Sequence, residues 1–208
     1  MPGSPVTVAV IDSGVNPDHP HVGRVADGIA IAADGSLHDN WIDRLGHGTA
    51  VAAAIQEKAP SVQLLAIRVF ERRLATSAPV LARAIDWAAE HGAQFINLSL
   101  GTPNAAHAAL LQAAVDRARA RESIVVSAAE YEGRPWYPGS LEGTVGVLLD
   151  WECPRESIRS HESGRRMLFA ASGYPRPIPG VPREKNLKGI SFAVANVTGT
   201  LAGNYSEE

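Results

Sequence analysis

The sequence predicts a three-layer α/β/α sandwich around a mainly parallel sheet, formed as one domain over residues 1–208. Three observations lead there. Short apolar runs rich in β-branched residues alternate with helical patterns along most of the chain, as when crossover helices join parallel strands. The runs are brief and end in turn residues, which suits buried strands. With 208 residues and a hydrophobic fraction of 45%, the chain is long and apolar enough for one substantial core.

The elements follow in order. Residues 6–11 read as a buried strand closed by Asp12-Ser13-Gly14. His47–Lys58 reads as an alanine-rich helix entered from a glycine turn. Residues 63–69 and 94–100 read as further buried strands. Between them, residues 79–91 place Leu81, Ile85 and Ala88 on one helical face, with Gly92 as the stop. A second amphipathic helix is expected over 105–121, then strands over 123–128 and 144–149. A last helix is expected over 191–203. Residues 150–188 are rich in Arg, Glu, Pro and Gly, and Pro175, Pro177, Pro179 and Pro182 make most of the second half a loop.

Composition narrows the partners. A net charge of −3 supplies no electrostatic footprint for nucleic acid or an anionic membrane. No stretch approaches the roughly 20 apolar residues that span a bilayer. Met1-Pro2-Gly3-Ser4-Pro5 lacks the basic and apolar regions of a signal peptide, so the expected location is the cytoplasm. Cys153 is the only cysteine, which excludes an intramolecular disulfide and suggests a buried or surface-neutral thiol.

Three residues carry candidate chemistry. Asp12 ends the first strand, His47 lies in Gly46-His47-Gly48-Thr49-Ala50-Val51-Ala52, and Ser191 lies in Gly189-Ile190-Ser191-Phe192-Ala193. A serine hydroxyl needs an imidazole to take its proton, and the imidazole needs a carboxylate to fix its tautomer and stabilise its cation. Only a fold can unite groups so far apart in sequence, and sites in parallel sheets gather at the carboxyl ends of the strands. Each residue alone reads as a cap or turn residue. Together, in the order Asp, His, Ser and with their flanking residues, they resemble the subtilisin-like serine peptidases, or subtilases.

The resemblance runs from about Val6 to Gly203 and implies more. Ser99, Leu100 and Gly101, at the end of Ile96-Asn97-Leu98-Ser99-Leu100-Gly101, would pair with an extended peptide by strand addition. Ser127, Ala128 and Ala129 resemble the opposite wall of the primary specificity pocket. Trp136-Tyr137-Pro138-Gly139 resembles the segment lining that pocket from below. Ala128, Ala129 and Tyr137 would make the pocket apolar, and the Tyr137–Pro138 bond is expected to be cis. The substrate implied is a peptide or protein, and no cofactor is implied.

The chain departs from the family at the oxyanion hole. Ala128-Ala129-Glu130-Tyr131-Glu132-Gly133 stands where most subtilases place a Gly-Asn pair after the alanines, so Tyr131 replaces the donor Asn. Losing that donor costs about 100- to 1,000-fold in turnover, a magnitude that comes from a subtilisin. The Ser191 N–H remains. Tyr131 could donate through its phenol, or Glu130 or Glu132 could donate as a neutral acid, with activity rising towards acidic pH. The acidic calcium loop of the family is missing between Gly48 and Ala66, and Asp34, Asp39 and Asp43 lack calcium-ligand spacing, so no metal is expected. Asp18-His19-Pro20-His21 reads as a surface loop rather than a metal site, and Trp41 as either a cleft rim or a packing residue. No propeptide-sized segment precedes Val6, so direct folding is expected. The expected activity is slow or conditional peptide hydrolysis. A peptide-binding protein without cleavage, and a peptide ligase or cyclase, are the alternatives.

Overall fold

The structure, a computed structural model, describes residues 5–71, 74–163 and 166–205. Residues 1–4, on which the signal-peptide expectation partly rests, lie outside them. The strands are β1 (Thr7–Asp12), β2 (Val25–Ile31), β3 (Leu37–His38), β4 (Gln63–Arg68), β5 (Phe95–Leu98), β6 (Ile124–Ala128), β7 (Glu130–Tyr131), β8 (Arg134–Pro135), β9 (Val145–Leu149), β10 (Ile158–Ser163) and β11 (Arg166–Ala171). The helices are α1 (His47–Lys58), α2 (Ala78–Glu90), α3 (Ala108–Arg119) and α4 (Ile190–Tyr205).

Among the described residues, nine strands form one sheet in the order β10-β11-β9-β6-β5-β1-β4-β2-β3. The interior pairings are parallel, and only the outermost strands, β10 and β3, run antiparallel to their neighbours. Strand alternation sends side chains to two cores. Val8 and Val10 of β1 pack with α1 and α4, whereas Ala9 and Ile11 pack with α2 and α3. Helices thus cover both faces, which explains why β1 is buried along its whole length. The α1–α4 layer is especially close. A Cβ on Gly199 would lie 2.8 Å from the Ile55 carbonyl oxygen, and one on Gly203 2.9 Å from that of Lys58.

The expected elements are present, with shifts of one to three residues at several ends. Residues 105–107 form a 3-10 turn ahead of α3 rather than its first turn. Besides the two-residue strands β3, β7 and β8, two features were not expected. The β10–β11 hairpin occupies the first half of the segment 150–188, where polar and charged residues mask the strand pattern. β2 carries Asp27, Gly28 and a register shift between Val25 and Asp27, which breaks its periodicity.

Candidate active site

Asp12 ends β1 at the centre of the sheet and is fully buried. Its Oδ1 lies 2.8 Å from His47 Nδ1 and also accepts the Ser13 N–H at 2.7 Å. Its other oxygen is buried with no partner among the described residues. His47 opens α1, and two glycines let that helix end approach β1. A Cβ on Gly48 would sit 2.1 Å from the Gly14 carbonyl oxygen and 3.1 Å from Asp12 Cβ. Gly46 has φ 82, a left-handed conformation that suits glycine.

Asp43 organises the turn into α1. Its Oδ1 accepts from the Ser13 hydroxyl at 2.9 Å, the Leu45 N–H at 2.8 Å and the Gly46 N–H at 2.9 Å. Its Oδ2 accepts from the Thr49 N–H at 2.9 Å and the Thr49 hydroxyl at 2.6 Å. The Gly48 N–H donates to Ser13 Oγ at 2.9 Å. Thus two N–H groups of the first turn of α1, which have no intrahelical partner, are capped from outside the helix. Burial opposes the Asp43 charge, but bonds from Thr49, Leu45 and Gly46 outweigh it and hold the carboxyl below its ordinary value. His47 responds to both acids. Burial pulls its pKa down, but the Asp12 bond and charge and the Asp43 charge prevail, and the pKa is raised. Its side chain is 16% exposed, so one edge of the ring still meets solvent.

Ser191 lies in the first turn of α4, after Gly189 with φ 143. The Phe192 and Ala193 N–H groups bond to the Gly189 carbonyl at 3.0 and 3.4 Å. The Ser191 N–H has no partner among the described residues. The Phe192 ring centroid is 5.6 Å from that of His47, which brings the start of α4 alongside the imidazole. The Ser191 hydroxyl donates to the Ser99 carbonyl at 3.2 Å. A buried relay ties α4 to the end of β5: Thr198 Oγ1 donates to Asn97 Oδ1, and Asn97 Nδ2 to Ser99 Oγ, each at 2.9 Å.

The two expected walls stand at the ends of β5 and β6. Leu100 and Gly101 have no backbone hydrogen-bond partner among the described residues. Ser127, Ala128 and Ala129 are buried. Ala129 uses its N–H on the Val147 carbonyl at 2.9 Å, and its carbonyl accepts the Trp136 N–H at 3.0 Å. Tyr137 packs on the α2–α3 side, and its backbone exchanges two bonds with Thr102. The Tyr137–Pro138 bond is cis.

The segment after β6 folds into a small hairpin, β7–β8. Tyr131 is 39% exposed, and its ring sits 5.4 Å from that of Trp136. Glu130 and Glu132 stand in solvent. Trp41 packs partly buried against the α1–α4 core and covers Gly28, where a Cβ would meet its ring at 2.5 Å. Beside α1, a cavity of about 590 Å³ is lined by Gly46, Thr49, Ala50, Ile178 and Leu187, among others.

Sequence reasoning missed Ser13, Asp43, Asn97 and Thr198. The position of Asp43 four residues ahead of His47 was available as a capping signal, but it was weighed only as a calcium ligand. The Thr198–Asn97 contact has no sequence signal at all.

Known proteins place this architecture. Residues 3–136 match the model of the subtilase family. The thermostable alkaline protease of Halalkalibacterium halodurans is 32% identical over 222 residues, covering 96% of this chain and 56% of that protein. Subtilisin E of Bacillus subtilis is 30% identical over 207 residues, covering 94% and 52%. The chain thus spans about half the length of these curated relatives. Among solved structures, sphericase superposes with a TM-score of 0.75 at 23% identity, over 99% of this chain and 78% of that one. A lanthipeptide protease does so with 0.73 at 22%, over 97% and 73%. The fold is therefore subtilisin-like, and the chain belongs to the subtilase family.

Proposed function

We propose that this protein is a serine peptidase that cleaves peptide or protein chains through Asp12, His47 and Ser191. The observation that carries the reading is the 2.8 Å bond between buried Asp12 and His47 Nδ1, which leaves Nε2 of the same ring as the proton acceptor beside the start of α4. Ser191 Oγ would attack the peptide carbonyl as His47 takes its proton. The C–N bond then breaks, and His47 returns the proton to the leaving amine. Water, activated by the same imidazole, resolves the ester. The free Ser191 N–H at the first turn of α4 supplies one oxyanion donor. The substrate would run along Leu100 and Gly101, whose backbone groups are open to strand pairing. The cavity beside Gly46 and Leu187 offers room for chain beyond the cleaved bond.

A second reading, peptide binding without cleavage, is favoured by one observation: the Ser191 hydroxyl donates to Ser99 rather than to His47. Catalytic bonds are often loose without substrate and tighten on binding, so hydrolysis is preferred. Intact-mass analysis with a fluorophosphonate probe decides between them. One adduct on the native chain and none on Ser191→Ala supports an activated serine; an unlabelled native chain leaves the binding reading. Product analysis with an added amine nucleophile separates hydrolysis from ligation or cyclisation.

A further inference from the structure

At the ends of β5 and β6 the Trp136 indole lies against the Gly101 backbone. The walls themselves are small, glycine on one side and alanines on the other. Into the space they leave comes the Trp136 indole. A Cβ on Gly101 would lie 2.5 Å from Trp136 Cδ1 and 2.6 Å from Nε1, so the indole edge rests directly on the Gly101 backbone. The tryptophan backbone is pinned across the gap as well. Its N–H donates to the Ala129 carbonyl at 3.0 Å, and its carbonyl accepts the Ser140 N–H at 2.8 Å. Next to it, Thr102 and Tyr137 exchange bonds of 3.0 and 2.9 Å, which fixes the segment against the Gly101 side. Tyr131 packs on the indole at 5.4 Å. Trp136 also packs partly buried against the core that holds Ala128 and Phe192. The ring therefore meets Gly101, Tyr131 and the core.

We propose that Trp136 determines substrate specificity by closing the subsite between the ends of β5 and β6, so that the residue whose carbonyl meets Ser191 must be small: glycine, alanine or serine. The proposal rests on the reading that a peptide pairs with Leu100 and Gly101. Aromatic and long aliphatic residues would have to displace an indole anchored by backbone bonds and by Tyr131. In an apolar pocket one methylene already changes affinity by about 10- to 200-fold, so a whole ring without space is rejected strongly. Tyr131 and Trp136 then form one unit. The residue that occupies the position of the family's oxyanion donor serves as the outer support of the plug.

The test uses full-length Ser191→Ala protein and short peptides that differ only in the C-terminal residue, alanine or phenylalanine. Binding is read by fluorescence anisotropy, with and without a second substitution, Trp136→Ala. The expected result is tighter binding of the alanine peptide to Ser191→Ala by about tenfold or more. In the double variant the preference reverses, with the affinity ratio moving by about 100-fold. Trp136→Leu, which keeps apolar bulk in the core, gives an intermediate ratio and serves if the alanine variant does not fold. Equal affinity of the two peptides, a ratio unmoved by either substitution, or no binding of either peptide would overturn the proposal. Fluorophosphonate labelling of the Trp136-containing native chain is run in parallel. Its failure would sink hydrolysis while leaving the binding preference intact, so the two ideas fail separately.

Discussion

The two halves of the cleft are built by different means. On the Asp12 side, a carboxylate at a strand end, a histidine at a helix start and the Asp43 turn form a buried hydrogen-bonded cluster. On the Tyr131 side, a two-strand hairpin brings aromatic rings together over the ends of β5 and β6. The first half is polar, with most of its groups satisfied. The second is apolar, with Trp136 packed between Gly101 and Tyr131. Under the proposed peptidase reading, the Asp12 side supplies the proton transfer and the Tyr131 side the recognition of substrate.

Substitutions can break or sharpen that contrast. The largest effect is expected from Ser191→Ala, which should lower kcat by about 10⁴-fold or more while the fold is retained, as seen by circular dichroism. If the residual rate exceeded a tenth of the native rate, the assignment of Ser191 would be wrong. Next comes Tyr131→Asn on the rebuilt side. A side-chain donor restored there should raise kcat by about 10- to 100-fold with little change in the pH profile. An unchanged or lower kcat would mean that the hairpin no longer holds this position at the oxyanion.

Two smaller effects probe the polar half. Gly48→Ala forces a Cβ to within 2.1 Å of the Gly14 carbonyl. It should destabilise the protein by about 2–4 kcal/mol in urea unfolding. An unaltered midpoint would show that α1 does not depend on this approach. Asp43→Asn should cost about 2 kcal/mol through weakened caps on the turn before α1. It should also move the acid limb of kcat/KM to lower pH. The sign follows from His47, whose raised pKa keeps the imidazole protonated, and unable to act as a base, to a pH above the ordinary 6.5. Removing the Asp43 charge removes part of that elevation. A limb that stays in place would exclude Asp43 as an electrostatic influence on His47. The same carboxylate sets a stability window. Its pKa is depressed, so its contribution is complete above its ordinary value of 3.8 and is lost as pH falls through the lower folded value. Acid unfolding of Asp43→Asn should therefore depend less steeply on pH in that range.

Much of the architecture was legible because burial leaves a mark on composition. β1, β5 and β6 are apolar on consecutive residues since helices cover both faces, and α1 matches the expected His47–Lys58 span. β10 and β11 escaped notice for the opposite reason. β10 is the edge strand, and the charged residues Arg159, His161 and Arg166 make the hairpin read as a loop although Ala170 and Ala171 of β11 are buried. The positions of Asp12, His47 and Ser191 at the ends of their elements were legible from local motifs. The sequence predicts an apolar pocket beside Ala128, and no local pattern reveals that Trp136 rests on Gly101.

The sequence by itself determined the buried central strands, the four helices, the three polar groups at their ends and the family, because each is written in residues close together in the chain. Only the tertiary structure decided that Ser13 reaches Asp43 beside His47, that Thr198 reaches Asn97, and that Trp136 rests on Gly101. Each of these depends on the separation of two backbones, and packing, not local preference, sets that distance.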